Sequence, residues 1–211
     1  MPDLEQLYAA VIEGDWKAAV AATNAAVAAG VPPLTIVTGH LVRAMDEVGR
    51  RFDCEDYFVP EMLLSARAMK ASMEIVRPLL VATGAEPVGR VVIGTVKGDL
   101  HDIGKNLVAS MLEGGGFEVI DLGADVSPQR FIEAVTERDA NLVALSALLT
   151  VTMPSMKATV DAFQSAGLRA QVKIMVGGAP VTQQYADTIG ADGYSESAAA
   201  AVALARRLVL A

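Results

Sequence analysis

Histidine and cysteine are nearly missing from this chain, which has His40, His101 and Cys54 and no others of either type. A lone cysteine makes no intrachain disulfide and no Cys-x-x-Cys redox or zinc pair. An all-protein zinc site draws three or four ligands, mostly His and Cys. Any transition metal bound here must therefore bring most of its own ligands. Aromatic side chains are also sparse, at 5%. Basic residues are outnumbered, 17 Lys and Arg against 25 Asp and Glu, for a formal net charge of −8. Nucleic acid is excluded as the main partner, because phosphate binding wants clustered Lys and Arg. No apolar run approaches the roughly 20 residues that cross a bilayer, and the opening MPDLEQLY lacks the basic-then-apolar pattern of a secretory signal. A cytoplasmic protein with no membrane partner is expected.

What the chain does have is apolar mass, 53% of 211 residues, enough for one large domain or two small ones. Two halves differ in rhythm. From Asp3 to about Gly84 no strand pattern is found, and Ala, Leu, Met and Glu dominate between breakers at Gly14-Asp15, Gly30 with Pro32-Pro33, and Asp53 to Pro60. Helices are predicted near 3–13, 15–29, 33–52 and 59–83. Met62, Ala66, Met69, Met73 and Val76 recur at spacings of three or four and share one face of the last. A four-helix bundle over 1–87 is the expectation.

The stretch GAEPVGR, 84–90, has linker composition. After it β-branched runs at 90–96, 117–123, 141–147, 172–178 and 191–195 alternate with helical segments near 103–114, 128–138, 155–166, 181–188 and 196–209. That alternation predicts an α/β domain over 88–211: a five-stranded parallel sheet, helices on both faces, flavodoxin-like order 2-1-3-4-5. Ligands of such sheets bind beyond the C-terminal ends of strands 1 and 3, where the winding reverses. Strand 1 ends in KGDLHDIG and strand 3 in LSALLTVT, so polar groups gather at that point.

Three chemistries compete for KGDLHDIG. A Walker loop fails, because five residues separate Gly98 from Gly104 and Lys105 is followed by Asn106. Acid–base catalysis by His101, oriented by Asp99 or Asp102, lacks an accompanying nucleophile or metal cage. Metal ligation by His101 with Asp99 behind it needs one protein ligand if a heme or a corrin supplies the rest, and a ligating imidazole usually donates its other N–H to a carboxylate.

DLHDIG matches the D-x-H-x-x-G signature of cobalamin-binding domains. After 41 intervening residues, 105–145, comes Ser146-Ala147-Leu148, and after 28 more, 149–176, Gly177-Gly178, the S-x-L and G-G of the same pattern. Upstream, YFVPEMLLSARAM resembles the last helices of the cap that precedes the cobalamin domain of methionine synthase. The chain therefore resembles the corrinoid carrier proteins of methyltransferase systems over nearly its whole length.

That resemblance implies a cobalamin or related corrinoid cofactor whose cobalt is bound by His101 in place of the cofactor's own nucleotide base. Asp99 and Thr152, which stands where methionine synthase has serine, would complete a hydrogen-bonded triad with it. Gly104, Gly177 and Gly178 would make room for the displaced nucleotide tail. Ser146 would hydrogen-bond its base, and Leu148 and Thr150 would line the slot. Gly98, Asp102, Ile103 and Asn106 would flank the histidine and the corrin. Phe58 matches the cap aromatic over the upper face, while Ala68 replaces a valine. The implied function is a methyl-group carrier, without activity alone in the sense that it has no evident substrate pocket of its own, serving a substrate-specific methyltransferase and a second one dependent on tetrahydrofolate or a thiol, with a reductive activator. Two rivals share the motifs: a B12-dependent sensor or regulatory module, which would need a DNA-binding domain, and the B12 subunit of an adenosylcobalamin mutase, which normally lacks the cap.

Overall fold

The computed structural model describes residues 4–84 and 87–210, which divide into two compact units, one within Met1–Pro87 together with Glu113–Gly116 and the other within Val88–Leu112 and Phe117–Ala211. None of the helices among the described residues is long and apolar enough to cross a membrane.

The first unit is helical: α1 (Leu4–Ile12), α2 (Trp16–Ala28), α3 (Pro33–Ile36), α4 (Val42–Asp53) and α5 (Val59–Ala82). Asp15 caps α2, its carboxylate accepting from the amides of Lys17 and Ala18 at 3.0 Å each, which satisfies donors that a helix start leaves open. The helix expected over 33–52 contains a π-helical turn at Val37–Leu41, where the Val42 amide reaches back five residues to the Val37 carbonyl. Gly39, a weak helix former, lies in that turn. Backbone angles at Ile36, Val37, Leu41 and Val42 remain right-handed helical, so the rod continues through it. On α5, Met62, Ala66, Met69 and Val76 are buried as their spacing predicts, Met73 partly so. Each wholly buried side chain of this size contributes roughly 1.5–3 kcal/mol. Ala68 is also buried.

The second unit alternates β1 (Arg90–Thr95), α6 (Ile103–Gly114), β2 (Glu118–Asp121), α7 (Pro128–Arg138), β3 (Leu142–Ser146), α8 (Pro154–Ser165), β4 (Lys173–Gly177), α9 (Gln183–Ile189), β5 (Gly193–Ser195) and α10 (Ala198–Leu210). The strands are parallel in the order β2-β1-β3-β4-β5. This is the expected α/β sheet behind a helical N-terminal part. Strands are shorter than their apolar runs suggested, β2 most of all, because pairing ends where the chain turns away into loops. Val96 still bridges Val126 beyond the end of β1. The core of β1, β3 and β4 is almost wholly buried, as strands covered on both faces must be. Thr95 pairs with Ser146 and Ser146 with Gly177, which brings the ends of β1, β3 and β4 level.

Candidate cofactor-binding site

The chain leaves β1 in a tight turn: the Asp99 amide donates to the Val96 carbonyl at 3.1 Å, and Gly98 has φ +86, a left-handed value that favours glycine at this corner. Two loops hold the turn. The Gly98 amide donates to Asp125 Oδ1 at 2.7 Å, and the Asp125 amide returns a bond to the Asp99 carbonyl at 3.0 Å. The Thr95 hydroxyl donates to the His101 carbonyl at 2.8 Å.

Asp99 is wholly buried and fully employed. Its Oδ1 accepts from the His101 amide at 3.1 Å and lies 3.1 Å from His101 Nδ1. Its Oδ2 accepts from the amides of Leu148 at 2.8 Å and Leu149 at 3.3 Å and from the Thr152 hydroxyl at 2.7 Å. The Leu149 carbonyl is also 2.8 Å from that hydroxyl, but a hydroxyl has one proton and an ionised carboxylate is the stronger acceptor. Burial pushes the Asp99 pKa up; bonds from Thr152, Leu148 and His101 outweigh it and hold the carboxyl well below the usual carboxylate range. At neutral pH it is an anion.

An anion at Nδ1 selects the tautomer. The Nδ1–H donates to Asp99, and the lone pair is left on Nε2, which has no partner among the described residues. The His101 side chain is 53% exposed. A buried carboxylate thus orients an accessible imidazole through its Nδ1.

Around it lies an unusual rim. Leu100, Ile103, Leu148, Leu149 and Val151 are all exposed, Ile103 and Val151 by about four-fifths (79% and 80%). Contiguous exposed apolar side chains of this kind mark a binding surface. Beyond its chain neighbours and its own helix backbone, a Cβ added at Gly104 would meet no atom within 4 Å. Among the described residues no group of three or more His, Cys, Asp or Glu could cage a metal ion. One imidazole, an apolar rim and an open glycine fit a flat macrocycle that carries its own in-plane metal ligands.

The remaining residues singled out above fall into place unevenly. Ser146 is half-buried at the end of β3, and its hydroxyl bonds to none of the described residues; Thr150 is exposed. Asp102 is exposed and its carbonyl accepts from the Asn106 amide at 2.7 Å in the first turn of α6. Gly177 is the last residue of β4 and Gly178 follows it. A Cβ at Gly178, where φ is +130, would stand 1.9 Å from the Ala147 carbonyl oxygen, so the protein's own backbone demands glycine there. A Cβ at Gly177 would lie 3.2 Å from the Ser195 carbonyl. Phe58 is 64% exposed at the start of α5, in the helical unit.

Sequence reasoning missed three participants. Asp125, at φ +56, anchors the Gly98 turn. Lys105 is buried, with Nζ 2.6 and 2.5 Å from the two carboxylate oxygens of Asp121 at the end of β2 and 2.6 Å from Asn106 Oδ1. A lysine one residue after the motif glycine was the available signal.

Comparison with known proteins identifies the family. Residues 89–203 match the model of a B12 binding domain, and residues 3–77 match a second model described in the same words. Trimethylamine corrinoid protein 1 of Methanosarcina acetivorans is 42% identical over 203 residues, covering 95% of this chain and 94% of the relative. Dimethylamine corrinoid protein 1 of the same organism is 41% identical over 207 residues, with 98% and 97% covered. Among solved structures, a cobalamin-binding protein from Desulfitobacterium hafniense DCB-2 matches with a TM-score of 0.82 at 33% identity over 99% of both chains. The methanol:cobalamin methyltransferase complex MtaBC from Methanosarcina barkeri matches with a TM-score of 0.87 at 31% identity, over 98% of this chain and 79% of that one.

Proposed function

This chain belongs to the family of B12-binding corrinoid proteins, and from that premise we propose that it is the methyl-group carrier of a methylamine methyltransferase system. It takes the group from a substrate-specific methyltransferase and passes it to a second methyltransferase. The names of its trimethylamine and dimethylamine relatives support that donor class. When bound, the corrinoid supplies a cobalt that accepts and releases a methyl group.

The chain's own residues hold and tune that cobalt. His101 would hold the metal through Nε2 in place of the cofactor's nucleotide base. Asp99 keeps the proton on Nδ1 and raises the basicity of the ligating nitrogen. Thr152 and the amides of Leu148 and Leu149 keep Asp99 ionised. Ser146, Leu148, Thr150, Gly177 and Gly178 would hold the tail of the cofactor, while Gly98, Asp102, Ile103, Gly104 and Asn106 would flank the histidine and touch ring or tail. Phe58 would be the cap aromatic of the helical domain, which spans 1–87, with the cobalamin-binding domain over 88–211. The observation that carries this reading is the buried, ionised Asp99 aimed at an exposed imidazole.

The test is direct. The chain is loaded with hydroxocobalamin and reduced to the Co(II) form, and the superhyperfine splitting is compared between 14N- and 15N-histidine protein. The splitting changes with the label in the wild type, and His101→Ala abolishes that dependence. Cobalamin that keeps its own base on the metal in the wild type defeats the ligation proposal. A labelled methyl group from tri-, di- or monomethylamine transfers to the loaded chain stoichiometrically when the matching methyltransferase is added; no transfer from any of them defeats the donor assignment.

A further inference from the structure

The amide of Asn106 is aimed. Lys105 Nζ has only protons to offer, so the atom of Asn106 that lies 2.6 Å from it is the carboxamide oxygen, never the nitrogen. Lys105 is itself locked, because its ammonium is buried against both oxygens of Asp121. The usual ambiguity of an asparagine flip is thereby removed. Nδ2 has to point away from the lysine, and among the described residues it donates to none. Asn106 is exposed, and it lies three residues from Ile103 on the first turn of α6, on the same helix face. That face opens beside Gly104, where an added Cβ would meet no atom within 4 Å beyond its chain neighbours and its own helix backbone.

Accepting the cofactor assignment above, we propose that Asn106 Nδ2 donates a hydrogen bond to an oxygen acceptor on the corrinoid. Lys105 and Asp121 are positioning residues that hold the amide in the donating orientation. Two parts of the cofactor carry such oxygens, the side-chain amides of the corrin ring and the phosphodiester of the nucleotide tail. Lys105 does not bind the cofactor itself, since its Nζ is buried and already paired.

The experiment measures equilibrium binding of hydroxocobalamin, and separately of cobinamide, which lacks the nucleotide tail, to the full chain. Asn106→Asp keeps an oxygen for Lys105 but exchanges the donor for a second acceptor. It is expected to weaken cobalamin binding by about tenfold or more, the scale of one hydrogen bond to a charged or strongly polar group. Asn106→Ala should lose slightly less. Lys105→Met frees the amide to turn and is expected to cost about threefold to tenfold. The decisive measurement is the double variant Lys105→Met/Asn106→Ala. It should bind no more weakly than Asn106→Ala alone, because the lysine acts through that amide. A purely structural lysine would instead give losses that multiply. A loss confined to cobalamin places the acceptor on the phosphodiester, and equal losses with cobinamide place it on the ring amides. Wild-type binding that Asn106→Asp and Asn106→Ala leave unchanged overturns the proposal, as do multiplicative losses in the double variant. Failure of the wild type to bind either corrinoid would instead count against the cofactor reading.

Discussion

Each of the two units holds a carboxylate whose pKa is strongly lowered, and the two are lowered for opposite reasons. Glu47, on α4, lies between Arg50 and Arg51 at 2.7–2.8 Å, and their hydrogen bonds bring it from 4.5 to about 2. Arg51 continues to the Tyr57 hydroxyl, which donates to the Ile12 carbonyl at 3.1 Å, so the pair fastens the 54–58 turn to the end of α1. Asp99, in the second unit, has no permanent cation. It is stabilised by neutral donors and by one imidazole. The difference is instructive. A carboxylate neutralised by arginines has nothing left to give, whereas one held by amides and a hydroxyl keeps its charge to act on the ring beside it.

Asp99→Asn should break the comparison most severely. An asparagine cannot accept at both ends, so its NH2 would face donors that now share a buried acceptor. A loss of about 2–3 kcal/mol in unfolding free energy is expected by denaturant titration. In the cobalamin-loaded protein the histidine–cobalt bond should weaken and its visible spectrum should vary less with pH. An unchanged spectrum and pH response would remove Asp99 from the role proposed for it.

Next in size is Thr152→Val, which deletes the hydroxyl but keeps the shape. It should cost about 1–2 kcal/mol, because Asp99 loses one of its donors in a buried setting. Thr152→Ser keeps the donor and should cost less than about 1 kcal/mol for the lost methyl. Equal effects of the two substitutions would show that packing, and not the hydroxyl, matters at 152.

Glu47→Gln should be the mildest, within about 0.5 kcal/mol, since its arginine pairs are screened by solvent. Acid sharpens the contrast. Both folded-state pKa values lie below their unfolded ones, so both contributions are complete above the unfolded pKa and are lost as pH falls. For Glu47 the loss runs from about 4.5 to about 2; for Asp99 it begins near the ordinary carboxylate pKa and continues down to its own lowered value. Stability measured against pH should therefore flatten more in Asp99→Asn than in Glu47→Gln. High salt should erase the second difference and spare the first.

Much of this was legible before any coordinates. The strand–helix alternation after Gly84 and the Met62–Val76 face are periodic patterns, and periodicity reports which side of a local element is buried. The His101 motif was visible for a similar reason: Asp99 and His101 are two residues apart, and one turn brings them together. The π-helical turn at Val37–Leu41 was not visible, because one extra residue per turn leaves no periodic trace that short. The close approach at Gly178 was not visible either, since the atom its Cβ would strike belongs to Ala147, just past the end of β3.

By itself, then, the sequence determined the elements, their parallel order, and a histidine with a carboxylate at the mouth of the sheet, all of which follow from local spacing. The pairing of Thr152 with Asp99, 53 residues apart, was already implied by the family resemblance. Only the tertiary structure decided which backbone amides join it in holding that carboxylate and what turns the Asn106 amide away from the lysine. Those answers come from Leu148, 49 residues along the chain from Asp99, and from Asp121, 16 from Lys105. Hydrogen bonds depend on distance in space, and the register of a folded sheet sets that distance where no spacing along the chain can.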